Sequence, residues 1–76
     1  MELTGDQFLK IRQIYRLSQK DVAELTGVSE AFICMVENGK RKLTPKVSTR
    51  LADRLDLNPA KVISLLEFYA QTEVIK

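Results

Sequence analysis

Between Ser18 and Asn38 the chain holds two short helix-forming stretches with only Gly27-Val28-Ser29 to turn between them. Gly27 permits so sharp a turn and Val28 plugs the angle between the two helices. Ser18 and Asp21 form a Ser-x-x-acid start for a helix over Gln19 to Thr26, with Val22, Ala23 and Leu25 as its buried side, and Gly27 ends it. Ser29 then caps a helix from Glu30 to Asn38. Helical spacing puts Ile33, Val36 and Glu37 on one face and turns Glu30, Ala31, Cys34 and Met35 elsewhere. This helix is only half committed to a core.

The same punctuation organises the rest of the chain. Thr4-Gly5-Asp6-Gln7 fits a capping box, with Asp6 favouring the positive helix start. Helix 1 is expected to reach about Tyr15 and to bury the stripe Phe8, Ile11, Ile14 and Tyr15, with Ile14 nearest the edge. Asn38-Gly39 stops helix 3, and Lys40-Arg41-Lys42-Leu43-Thr44-Pro45 reads as a basic loop. A fourth helix follows over Lys46 to Leu55, burying Val47, Leu51 and Leu55. Asn58-Pro59 opens a fifth, which runs through Val62, Ile63, Leu65, Leu66, Phe68 and Tyr69 to about Gln71. Thr72 to Lys76 either fray or join a partner. With 76 residues, no strand-like alternation, no linker and no repeat, the expectation is one compact five-helix all-α domain over 1-76, without a second folded domain.

Composition narrows the function. No apolar window is long enough to cross a membrane and the first residues lack signal-peptide order, which points to a soluble cytoplasmic protein. A single cysteine and no histidine leave no intramolecular disulfide, no ordinary Cys/His metal site and no His-based catalysis. No carboxylate pair has a defined spacing, no Gly-rich phosphate loop is present and no nucleophile has a base, so neither an enzyme nor a bound cofactor is expected. Residues 10 to 50 carry nine Lys or Arg against four Asp or Glu, a balance of +5, while the remainder carries three against six, or −3. That asymmetry suits a surface facing a polyanion.

Taken in register, Leu17-Ser18-Gln19, Val22-Ala23, Gly27-Val28-Ser29, Ile33 and Val36-Glu37-Asn38-Gly39-Lys40 resemble the Cro and phage-repressor (XRE-type) helix-turn-helix family, over roughly residues 8 to 66. The resemblance implies a lambda-repressor-like fold with the helix-turn-helix at helices 2 and 3, and recognition of double-stranded DNA by the start of helix 3. Glu30, Ala31, Phe32 and Met35 are then the base-contacting candidates. Glu30 suits a cytosine N4 amine, and Ala31 or Met35 suits a thymine methyl. The plainer alternatives are that Phe32 covers the core and that Glu30 is solvated surface. Family members often carry Gln, Arg, Lys, Ser or Asn where Ala31 and Met35 stand here, so the recognised base sequence does not transfer.

Backbone contacts are implied for Ser18, Gln19, Lys20, Ser29, Asn38, Lys40, Arg41, Lys42, Thr44 and Lys46, with Lys10 and Arg16 adding to the rim. Arg12 and Glu37 match the positions of an inter-helix ion pair that orients the recognition helix. Arg16 stands where relatives often have glycine, so either the turn differs here or Arg16 tolerates a left-handed backbone. Cys34 reads as a small hydrophobe in preference to a redox sensor.

Helix 5 carries more apolar surface than helices 1 to 4 can cover. The end of helix 5 and the tail, residues 67-76, are therefore a candidate dimerisation element, and Leu65, Phe68, Tyr69 and Val74 are the candidate dimerisation residues; the alternative is a fuller intramolecular core. The resemblance implies a homodimer whose recognition helices lie one DNA turn apart, roughly 34 Å, on a near-palindromic operator. The expected function is a transcriptional repressor or controller of a phage, mobile-element, restriction-modification or toxin-antitoxin promoter. The competing expectation is a protein-interaction module, such as an antitoxin or accessory factor, whose affinity would be indifferent to Lys40, Arg41 and Lys42.

Overall fold

The computed structural model describes the backbone of residues 2–75 and the side chains of residues 2–71. Five helices follow in order: α1 (Gly5–Ile14), α2 (Gln19–Thr26), α3 (Glu30–Glu37), α4 (Pro45–Arg54) and α5 (Pro59–Ile75). Helix α1 begins on a full capping box, in which the Thr4 hydroxyl accepts from the Gln7 N–H and the Gln7 side chain accepts from the Thr4 N–H. Ser18 and Asp21 build a second box at α2. Ser29 caps α3 from one side only, because Phe32 at the third helical position cannot return the bond.

Three helices have bounds other than expected, and in α3 the difference is only that Asn38 is the cap and Glu37 the last helical residue. Helix α4 starts one residue earlier, since Pro45 takes the first helical position behind the Thr44 cap, and it ends at Arg54 with Leu55 as its cap. Helix α5 passes Gln71 and continues to Ile75 because Thr72 to Ile75 contain no glycine, proline or asparagine to stop it. The side chain of Val74 lies outside the described residues.

The core is formed by Phe8 and Ile11 of α1, Val22 and Ala23 of α2, Ile33 of α3, Val47 and Leu51 of α4 and Val62 of α5, closed at one end by Leu3. Tyr15 and Leu55 are half-buried and pack against it, while Ile14 and Leu25, expected on the buried side of their helices, are only half-buried. Sequence patterning passed over Leu3. Its backbone N–H donates to the buried Ser48 hydroxyl at 2.9 Å, pinning the N-terminal segment to α4. Thr26 is the other buried polar residue among those described, and its hydroxyl donates to the Val22 carbonyl at 2.7 Å. Both hydroxyls are satisfied, which is what lets them sit in a core.

The turns after α1 and α4 have the same construction. Arg16 and Asp56 adopt φ of 56° and 54°, and the following N–H groups of Leu17 and Leu57 reach back to the carbonyls of Arg12 and Ala52. Arg16 therefore tolerates the left-handed backbone. An aspartate occupies that region more readily than an arginine does, so strain is concentrated at Arg16. Replacing Arg16 with Gly is expected to stabilise the protein by about 0.5 kcal/mol, the relief of a roughly 1 kcal/mol left-handed penalty less the added freedom of the unfolded chain. Paired thermal melts should show a rise of a few degrees, and a fall would locate the strain elsewhere.

Candidate nucleic-acid interface

Helices α2 and α3 meet at Gly27, whose φ of 75° is the left-handed value that ends α2 and turns the chain. The N–H groups of Gly27 and Val28 both donate to the Ala23 carbonyl, and Val28 packs against the core in the angle between the helices. Inward-facing Ile33 and Val36 fix the roll of α3 about its own axis. Its outer surface then follows: Glu30 and Ala31 are exposed, Cys34 and Met35 half-buried, and Asn38 exposed just past the helix end. Phe32 is half-buried and packs against the core, the arrangement expected of a covering side chain. Cys34 lies on the outer strip, where its sulfur accepts from the Asn38 amide at 3.4 Å.

The carboxylate of Glu37, with 5% of its side chain exposed, gathers three donors at the far end of α3. Arg12 gives two, from Nε at 2.6 Å and Nη2 at 3.0 Å, and the Gln19 amide gives the third at 2.9 Å. Arg12 also donates from Nη1 to the Leu17 carbonyl at 2.8 Å. The expected Arg12–Glu37 pair is therefore the centre of a larger cluster joining α1, the α1–α2 turn, the first residue of α2 and the last of α3. Gln19 was expected at the DNA backbone and against neighbouring side chains, and one donor of its amide does meet such a neighbour, Glu37.

At the start of α2 the Asp21 carboxyl is held below its ordinary range, first by the Ser18 backbone N–H, then by the Ser18 hydroxyl and the charge of Lys20. Since the native value is the lower one, the cap's contribution is complete above the ordinary aspartate range and is lost as pH falls through the lowered value. Asp21→Asn is expected to flatten the acid side of the stability curve below about pH 4 while leaving its shape near neutrality. Urea titrations at several pH values measure this; parallel acid limbs for the two proteins would contradict it.

The loop after α3 is basic and firmly seated. Gly39 has φ of 76°, and the N–H groups of Lys40 and Arg41 both donate to the Met35 carbonyl, at 2.9 and 3.3 Å. Those amides are thus turned toward α3, leaving the side chains of Lys40, Arg41 and Lys42 as the loop's exposed cationic groups. Leu43 packs on the core and Thr44 caps α4, so the loop is anchored at both ends. Lys46 and Lys20 are exposed as well. Lys10 instead pairs with Asp6 at 3.0 Å and lies over the Tyr69 ring at 5.5 Å from its centre.

Among the described residues of α5, Ile63 and Phe68 are the large hydrophobic residues left exposed, at 59% and 58%. Leu65 and Tyr69 are half-buried, and the Tyr69 hydroxyl donates to Gln13 of α1 at 2.8 Å. Phe68 and Tyr69 border an apolar groove with Ile14 and Arg16. Sequence reading missed Ile63 as a surface residue, because the alternation on α5 alone does not say which side the other helices cover.

Two short helices locked at a glycine turn, the second with an open outer face and a basic loop at its end, define a helix-turn-helix domain. A family model described as helix-turn-helix matches residues 9–62, and the chain belongs to this Cro/C1-type (XRE) family of DNA-binding regulators. Comparisons with curated proteins and with solved structures give no match. Among the described residues no group of His, Cys, Asp or Glu could hold a metal ion, and no helix is long and apolar enough to cross a membrane.

Proposed function

We propose that this protein is a sequence-specific regulator of transcription that binds double-stranded DNA as a homodimer and represses or controls a phage, mobile-element, restriction-modification or toxin-antitoxin promoter in the cytoplasm. The observation that carries the reading is the outward face of α3, Glu30, Ala31, Cys34 and Met35, followed without a break by the anchored basic loop. Side chains of Lys40, Arg41, Lys42 and Lys46 supply phosphate affinity and register, while Glu30, Ala31 and Met35 discriminate bases. Ser18, Gln19, Ser29, Asn38 and Thr44 complete the backbone contacts. Exposed Phe68, beside Leu65 and Tyr69, serves the contact between two protomers and sets their reader helices one turn of DNA apart.

Selection from a pool of random duplexes, followed by titration at two salt concentrations, tests this reading. Wild type should show saturable, salt-sensitive binding with a preferred half-repeated site. A Glu30→Ala, Met35→Ala double variant should lose roughly two orders of magnitude of preference for that site and keep most of its affinity for random DNA. Enrichment of no sequence at all would reject it. The exposed apolar residues of α5 also favour a second reading, in which that helix docks on a different protein; a protein partner held equally well after loss of the loop charges would support it.

A further inference from the structure

The turn between α2 and α3 is held from outside by a residue on α4. Arg50 donates from Nη1 to the Thr26 carbonyl at 2.9 Å. Thr26 is the last residue of α2, so this carbonyl lies at the negative end of the helix, and α2 has no basic residue in its own last turn. Gly27 comes next, and a Cβ built there would stand 3.2 Å from the same Nη1. The guanidinium thus lies against both the final carbonyl of α2 and the glycine at which the chain turns. Glu24, Asp53 and Arg54 line the cleft around it.

The two ends of α3 are secured differently. Its last residue, Glu37, is gripped by Arg12 and Gln19. Its first residues, Glu30 and Ala31, follow directly from Gly27-Val28-Ser29, and Ser29 supplies only a one-sided cap. We infer that Arg50 is a positioning residue for the base-reading end of α3: by fixing the α2 terminus and its turn, it sets the angle at which Glu30 and Ala31 are presented. The inference rests on the DNA-binding reading above. It assigns Arg50 no contact with DNA.

The test compares Arg50→Ala and Arg50→Lys with wild type and with Val62→Ala, a core variant on α5, the helix that packs chiefly on α1. The first readout is amide hydrogen exchange in the free proteins. Arg50→Ala should speed exchange at Gly27 and Val28 roughly tenfold more than at Ile11, as expected for losing a charged hydrogen bond. The second is the ratio of affinities for the selected site and for random duplex. That ratio should fall roughly tenfold, while random-DNA affinity and its salt dependence stay within about twofold of wild type, and Arg50→Lys should fall between. Equal losses on both DNAs with a shallower salt dependence would make Arg50 a phosphate contact and overturn the inference. So would unchanged exchange and ratio, or an equal loss of ratio in Val62→Ala. If wild type itself prefers no sequence, the DNA-binding reading fails and takes the base-reading role with it; the exchange data then decide separately whether Arg50 holds the turn.

Discussion

Replacing Glu37 with Ala should destabilise this protein by about 3 kcal/mol or more, because it leaves the Arg12 guanidinium without its carboxylate in a site where only 16% of that side chain is exposed. In a domain of this size that corresponds to a fall in Tm of more than about 12 °C, a large share of the total stability. Glu37→Gln should do less harm. It can still accept from one of the donors, yet it loses the charge and meets a second amide at Gln19. Thermal melts of the two variants, with Arg12→Met, Glu37→Met as a doubly apolar reference, separate the cost of a stranded charge from the worth of the pair. A double variant as unstable as Glu37→Ala would mean that the cluster contributes net stability; one close to wild type would mean that its chief effect is to orient α3.

Removing the charges of the loop is expected to leave the fold intact and to weaken DNA binding strongly. The side chains of Lys40, Arg41 and Lys42 are exposed and belong neither to the core nor to a helix cap, and alanine keeps the backbone N–H groups that Lys40 and Arg41 donate to Met35. A Lys40→Ala, Arg41→Ala, Lys42→Ala triple variant should therefore keep its melting temperature within a few degrees. If each side chain neutralises one phosphate, the slope of log affinity against log salt becomes shallower by about 2.7 per protomer. Near 0.1 M salt this amounts to a loss of roughly two to three orders of magnitude. Titration of random duplex over a salt series checks it directly. An unaltered slope would show that the loop does not face phosphate and would favour a protein as the principal partner.

Much of the fold was written in short-range signals. Thr4, Ser18, Ser29 and Asn58 each act as caps, and Gly27 and Gly39 have the left-handed backbone their positions suggested. These features depend on a few neighbouring residues, so they survive without tertiary information. What escaped notice depends on distant partners. The Leu3–Ser48 bond spans 45 positions and the Arg50–Thr26 bond 24, and no local spacing marks either end. Thr26 and Ser48 are buried yet polar, and hydrophobic patterning is blind to a hydroxyl whose need is met by a backbone group. The Arg12–Glu37 pair was legible only through family resemblance, whereas the added donor from Gln19 depended on how α2 and α3 settle together.

The Met35 carbonyl, accepting from both Lys40 and Arg41, has a mechanical consequence. It makes the basic segment an extension of α3 and not a tether hanging from it. Any roll of the helix about its axis carries the cationic side chains through the same arc. On the proposed DNA-binding reading, a frame slipped by one base pair would displace the loop cations and the far end of α3 as one unit, whereas a tilt confined to the Glu30 end would alter reading and leave the loop where it is.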